Sequence, residues 1–329
     1  MEQNTNLNKE AGQFATIYKI ASTIMIAMLM IIGAVAFALF FNRDSRYLIS
    51  SPVVFALYVA LAITVIFALS ALFMLKGTTL TLPAPTANRI IAVISAGTSA
   101  VPFIYYIYSD ASAKIAAITS DAGSAAASYE GLDTLATMIT VVSAVSTLCS
   151  LYLVIRDSKV AALISGYGRV IFLALIITKL YLDFSVELNS PVKILVQFGA
   201  AAAMLATTAQ LRPLIGKHGA PYFVLTQFLS AALCLLCFVL FATEIAPNFA
   251  KYTTDLFAFP IMLLLLGIES AVNLFACRIE VCTAPPEIGN EEADSSKEIT
   301  NTEIDTPECE TASESTDEIT TNPTETSDQ

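Results

Sequence analysis

The chain has no tryptophan and a single histidine, His218, next to Lys217 in a predicted loop. One histidine excludes a haem held by paired histidines and any multi-histidine metal site. The signatures of phosphate loops, hydrolytic nucleophiles and zinc peptidases are missing as well: there is no Walker A, GxSxG or HExxH, and no GxGxxG placed after a strand. No cofactor is expected. Charged residues make up only 14% of the chain. No basic patch stands out that would neutralise a phosphate backbone, so nucleic acid is not an expected partner.

Exported disulfides are also not expected. The six cysteines are Cys149, Cys234, Cys237, Cys277, Cys282 and Cys309, and none falls in a segment predicted to face outside. Cys234 and Cys237 form a CxxC, but it lies within an unbroken apolar run. A redox or zinc CxxC needs a helix start or polar partners to hold a thiolate, so these two are read as small core side chains.

What the chain has in excess is apolar length. It is 56% hydrophobic with a mean hydropathy of +0.69. Eight runs are long enough to cross a hydrocarbon core of about 30 Å at about 1.5 Å per residue. The spans are drawn at 17–41, 51–75, 89–108, 134–155, 161–182, 193–211, 222–244 and 255–277. The fold class is therefore all-α, a polytopic membrane helix bundle. A short N-terminal segment, 1–16, precedes the transmembrane domain, 17–282. The first run is too long for a signal-peptide core and has no small-residue cleavage site after it, so it is read as a permanent span.

The net charge of −11 belongs to the other end. Residues 283–329 carry 14 acids and one base, a charge of −13; the remaining residues carry 16 bases and 14 acids, a charge of +2. This Ser/Thr-rich segment has no aromatic residue, leucine or valine. It cannot bury enough apolar surface to offset its ordering entropy and is expected to be a disordered acidic tail. It either recruits a protein partner or serves only to solvate.

Loop charges suggest an orientation. With the N-terminus inside, Lys9, Lys19, Lys76, Arg89, Arg156, Lys159, Arg212, Lys217 and Arg278 collect on the cytoplasmic side. Arg43, Arg46, Lys114, Lys193 and Lys251 fall outside. That bias puts both termini in the cytoplasm and the chain in the plasma membrane. Without tryptophan, interfacial anchoring is assigned to Tyr18, Tyr105, Tyr106, Tyr108, Tyr152, Tyr181 and Tyr222. The long connection 109–133 is placed outside; its stretch Ala111–Ser120 has the composition of a short helix on the membrane surface, and a solvated loop is the preferred reading. Ser51-Pro52-Val53 and Ser190-Pro191-Val192 open the second and sixth spans alike, a faint trace of a four-plus-four duplication that general helix-start chemistry explains equally well.

Two ionisable residues lie deep in spans, where a charge costs about 2.5–3.5 kcal/mol on insertion scales. Arg169 is ten residues past Lys159, about 15 Å in, and Glu269 is nine residues before Arg278, about 13 Å in. Both fall in the same half of the membrane, so a pair is one reading. In the other, Ser165-Gly166-Tyr167-Gly168 is a poorly helical stretch, the fifth span starts near Val170, and Arg169 points to headgroups. Asn273, one turn from Glu269, extends the candidate intramembrane site. Gln197, Thr207, Thr208, Gln210 and Gln227 are assigned to polar contacts between helices.

These features lead to a permease- or channel-like protein for a small molecule or ion. The alternative is a non-catalytic scaffold or accessory subunit acting through its tail, and an enzyme ranks third. The bilayer is the one partner the composition names; the small-molecule ligand is not readable.

Overall fold

The computed structural model describes residues 2–42, 47–81, 85–119, 134–182, 190–216, 219–245 and 255–281. The tail lies outside these residues, as do His218 and much of the 109–133 connection. Eight helices run in sequence: α1 (Glu2–Phe40), α2 (Pro52–Met74), α3 (Pro85–Thr119), α4 (Thr134–Ile155), α5 (Lys159–Leu182), α6 (Pro191–Leu211), α7 (Ala220–Leu240) and α8 (Asp255–Ala276). All eight are long and apolar enough to cross a membrane. Many large apolar side chains, among them Phe55, Ile66, Phe73, Ile104, Leu148 and Ile155, point outward. A soluble protein rarely shows so much, whereas lipid solvates it.

Helix packing divides the bundle unequally. Neighbours from α3 through α8 contact in order, and α8 returns to α3, so six helices close into a ring. Contact of α6 with α8 fills it. Outside the ring, α1 and α2 pack on each other and on α7. The apolar window of α7 is 67% buried, against 22% for α1 and for α2. Helix α6 has the lowest hydropathy of the eight, 1.5. Its alanines Ala200, Ala203, Ala206 and Ala209 are buried among its neighbours, which compensates for weak partitioning into lipid. The two Ser-Pro starts have different surroundings, because α6 is a ring member and α2 is peripheral. The Ser51 hydroxyl accepts from Val54 N at 3.2 Å, while Ser190 makes no such cap bond.

Short strands tie the helix ends. β1 (Phe41–Asn42) pairs antiparallel with β2 (Tyr47–Leu48) between α1 and α2. At the other end, which carries Arg156, Arg212 and Arg278, β3 (Thr78–Thr81) pairs antiparallel with β4 (Arg278–Val281), and Thr79 also bridges Gly219. This ribbon connects the exit of α8 to the start of α7 and to the α2–α3 connection.

Several sequence-based expectations are corrected. Helix α3 continues to Thr119, so the connection after residue 108 starts as helix, not loop. Its alanines favour helix, and Asp110 and Lys114 pair at 2.6 Å one turn apart. Helix α5 is continuous through Gly166 and Gly168, so no poorly helical stretch precedes Arg169. Lys193 lies in the first turn of α6 at 1% exposure instead of in an outside loop. Tyr18 and Tyr106 are buried; Tyr18 stacks on Phe67 at 4.7 Å and donates to its carbonyl, so it anchors a helix pair and not an interface.

Candidate functional site: a buried ion pair among four helices

Two glycines decide how closely the helices around Arg169 approach. A Cβ at Gly166 would stand 2.4 Å from Leu211 Cδ2 on α6, and one at Gly168 would stand 3.1 Å from Ser146 Cβ on α4. Their missing side chains allow α5 to nest against both neighbours. Arg169, on the next residue, is thereby carried into the ring at 6% exposure.

There Arg169 Nη1 donates to Glu269 Oε1 on α8, forming a buried ion pair. Glu269 is 1% exposed. The second guanidinium nitrogen, Nη2, donates to Gln210 Oε1 on α6 at 3.3 Å. Gln210 Nε2 donates onward to Gln227 Oε1 on α7 at 3.4 Å, and Gln227 Nε2 donates to the Ala206 carbonyl at 2.9 Å. One chain of polar contacts therefore joins α5, α6, α7 and α8. Among the described residues, three buried polar atoms of this group have no partner: Arg169 Nε, Glu269 Oε2 and Asn273 Nδ2.

Serines continue the polar layer on both sides. Ser165, one turn before Arg169, contacts Ser150 Oγ at 2.6 Å through its hydroxyl, and its carbonyl accepts from Ser146 Oγ at 3.0 Å. Ser150 reaches Ser95 at 3.3 Å and Ser146 reaches Ser99 at 3.0 Å, so α3, α4 and α5 are linked. On the α8 side, Ser270 donates to Ser230 on α7 at 2.9 Å, and Cys234 Sγ donates to the Gly199 carbonyl at 3.3 Å. Sequence reasoning missed these serines. The usable signal was their spacing, Ser95 and Ser99 on α3 and Ser143, Ser146 and Ser150 on α4, which is one helical face.

The other assigned residues are dispersed. Thr207 and Thr208 donate to Ala203 and Leu205 of their own helix at 2.8 and 2.7 Å, so their hydroxyls tie no second helix. Threonine commonly returns its hydroxyl to the preceding turn. Gln197 stands apart, half-buried on the wall of an open groove of about 410 Å³ that includes Ile177, Thr178, Tyr181 and Phe198. Among the described residues no three His, Cys, Asp or Glu side chains group as metal ligands.

Among the described residues, eight helices are long and apolar enough to cross a membrane, and six of them enclose a buried polar layer, the architecture of a multi-pass integral membrane protein. No family model, no curated protein and no solved structure matches the chain.

Proposed function

We propose that this chain is a permease-type protein for a small solute, set in the plasma membrane with both termini in the cytoplasm. The observation that carries this reading is the Arg169–Glu269 pair with its three unpartnered polar atoms. A buried ion pair adds little net stability compared with apolar packing of the same volume, so structure alone does not require one. Intramembrane charges that face a bundle interior are the usual components of solute and proton pathways. Open hydrogen-bonding positions beside such a pair suit a polar guest.

A scaffold role is the second reading, favoured by one observation: Glu269 is only 1% exposed. In that case the pair is interhelical glue, and the acidic tail recruits a protein.

Comparative metabolite profiling separates the two. Cells with the intact gene, without it, and with Glu269→Gln are compared at equal protein level. The permease reading expects one small solute to change when the gene is lost, and Glu269→Gln to reproduce that change. If no solute changes, or if Glu269→Gln behaves as wild type, the scaffold reading replaces it.

A further inference from the structure

Arg169 engages Glu269 through only one edge of its guanidinium. Nη1 carries the ion pair, Nη2 makes a long 3.3 Å bond to the neutral Gln210 amide, and Nε has no partner. Nε and Nη2 together form the planar fork that matches two oxygens of a carboxylate or related oxyanion. Glu269 does not occupy that fork. It also keeps Oε2 unpartnered, and Asn273, one turn along α8 and 5% exposed, keeps Nδ2 unpartnered. The buried centre thus presents a guanidinium N–H edge, a carboxylate oxygen and, one helical turn along α8, an amide donor that no described side chain or backbone group pairs with.

Resting on the permease reading, we propose that this centre binds a small oxyanionic monoanion together with one proton. The proton adds to Glu269 at Oε2 and makes it a neutral acid. Arg169 is then left without its counter-ion, and the anion takes the Nε–Nη2 fork, displacing Gln210 Oε1 and accepting from Asn273 Nδ2. On release both guests depart and the Arg169–Glu269 pair re-forms.

Charge bookkeeping favours this pair of guests over an anion or a cation entering alone. The empty centre is neutral, with one guanidinium and one carboxylate. The loaded centre is neutral too, with guanidinium, carboxylic acid and anion. An anion entering alone leaves a net negative charge in the bundle. A metal cation captured by Glu269 leaves Arg169 unpaired. Both states bear the uncompensated buried charge that a bilayer interior penalises most.

Among the described residues of the helices packed on α8, the one other carboxylate is Asp110, which pairs with Lys114 in the last half of α3. Arg169 on α5 is the charged group against Glu269. Helix α7 contributes the buried thiols Cys234 and Cys237, with Tyr222 in its first turn. Helix α6 carries Lys193 in its first turn and Arg212 follows it. On α3, Arg89 is near the start, and Tyr105, Tyr106, Tyr108, Asp110 and Lys114 are in the last half.

The test uses full-length protein in lipid nanodiscs, with L-lactate and methanesulfonate as probes. Both stay ionised across the range used, and they distinguish a planar from a tetrahedral oxyanion. Wild type should bind at least one near pH 5.5, and the affinity should weaken by about tenfold per pH unit once the carboxyl is ionised in the empty protein. In weakly buffered solution about one proton should be taken up per anion bound. Glu269→Gln, locked in a neutral form, should bind the same probe with no pH dependence. Arg169→Lys keeps the charge without the fork and should bind at least about tenfold more weakly. Should Glu269→Gln fail to fold, proton uptake by wild type decides alone. Silence from both probes at low pH, or pH-independent binding by wild type, overturns the proposal. If metabolite profiling still reveals a transported cation or neutral solute, the permease reading survives without it; if profiling is also silent, both fall.

Discussion

Lys19 of α1 closes the end of α8: its ammonium donates to the Cys277 carbonyl at 2.6 Å and to the Phe275 carbonyl at 3.2 Å. The last carbonyls of a helix lack intrahelical donors and carry the negative end of its dipole, so a cation is favoured there. The contact joins a peripheral helix to the helix that bears Glu269.

Lys19→Met should therefore lower stability by about 1–2 kcal/mol. Hydrogen exchange should show earlier opening of the last turn of α8 and of β4. Unchanged exchange at residues 274–281 would count against the cap.

Burial raises the neighbouring Cys277 thiol from 9.0 to about 11, with the Lys19 ammonium working in the opposite direction. A thiol raised in the folded state favours folding fully below pH 9 and loses that contribution as pH climbs toward 11. At neutral pH it stays protonated and buried. Maleimide should leave it unmodified in the folded protein and label it only after denaturation; rapid labelling of the native state would contradict this placement.

Removing either member of the Arg169–Glu269 pair leaves the other charged and buried. Arg169→Leu and Glu269→Leu should each cost about 3–5 kcal/mol. The double variant should cost far less than the sum, because no charge is left behind. Thermal unfolding of the four proteins in one detergent measures the coupling, and additive losses would mean that the two side chains do not depend on each other.

Gly166 is the spacer between α5 and α6. Gly166→Val should drive its side chain into Leu211 and destabilise the bundle by about 1–3 kcal/mol. Combining it with Leu211→Ala, which vacates the same space, should recover much of the loss. Equal stability of Gly166→Val and wild type would show that the helices can part freely.

The proposed orientation is open to single-cysteine labelling in a background lacking native cysteines. Ser50 and Ser112, both exposed or at an exposed helix end, should react with an impermeant reagent from outside. Thr86 and Asp157 lie toward the opposite end and should react only after permeabilisation. The reverse pattern would invert the molecule.

Much of the fold was readable along the chain, and the reason is the solvent. A bilayer demands that every crossing segment satisfy its own backbone and present about 20 apolar residues, a test each segment passes or fails alone. The predicted 134–155 span and helix α4, Thr134–Ile155, have the same limits for that reason. Arg169 and Glu269 stood out for the same cause, since a charge in an apolar run is visible without any partner.

Contacts between segments were a different matter. Which face of α5 turns inward depends on Gly166 and Gly168 meeting Leu211 and Ser146, residues far apart in sequence. The serine links, the β3–β4 ribbon, the buried Lys193 and Tyr18, and the inward turn of Thr207 onto its own helix all follow from such contacts. Lipid solvates every apolar face about equally, so hydropathy does not choose between helix rotations; close packing of small residues and interhelical hydrogen bonds do, and these arise only when the helices meet. The sequence by itself determined the eight spans and the two costly charges, and the tertiary structure decided that those charges face each other.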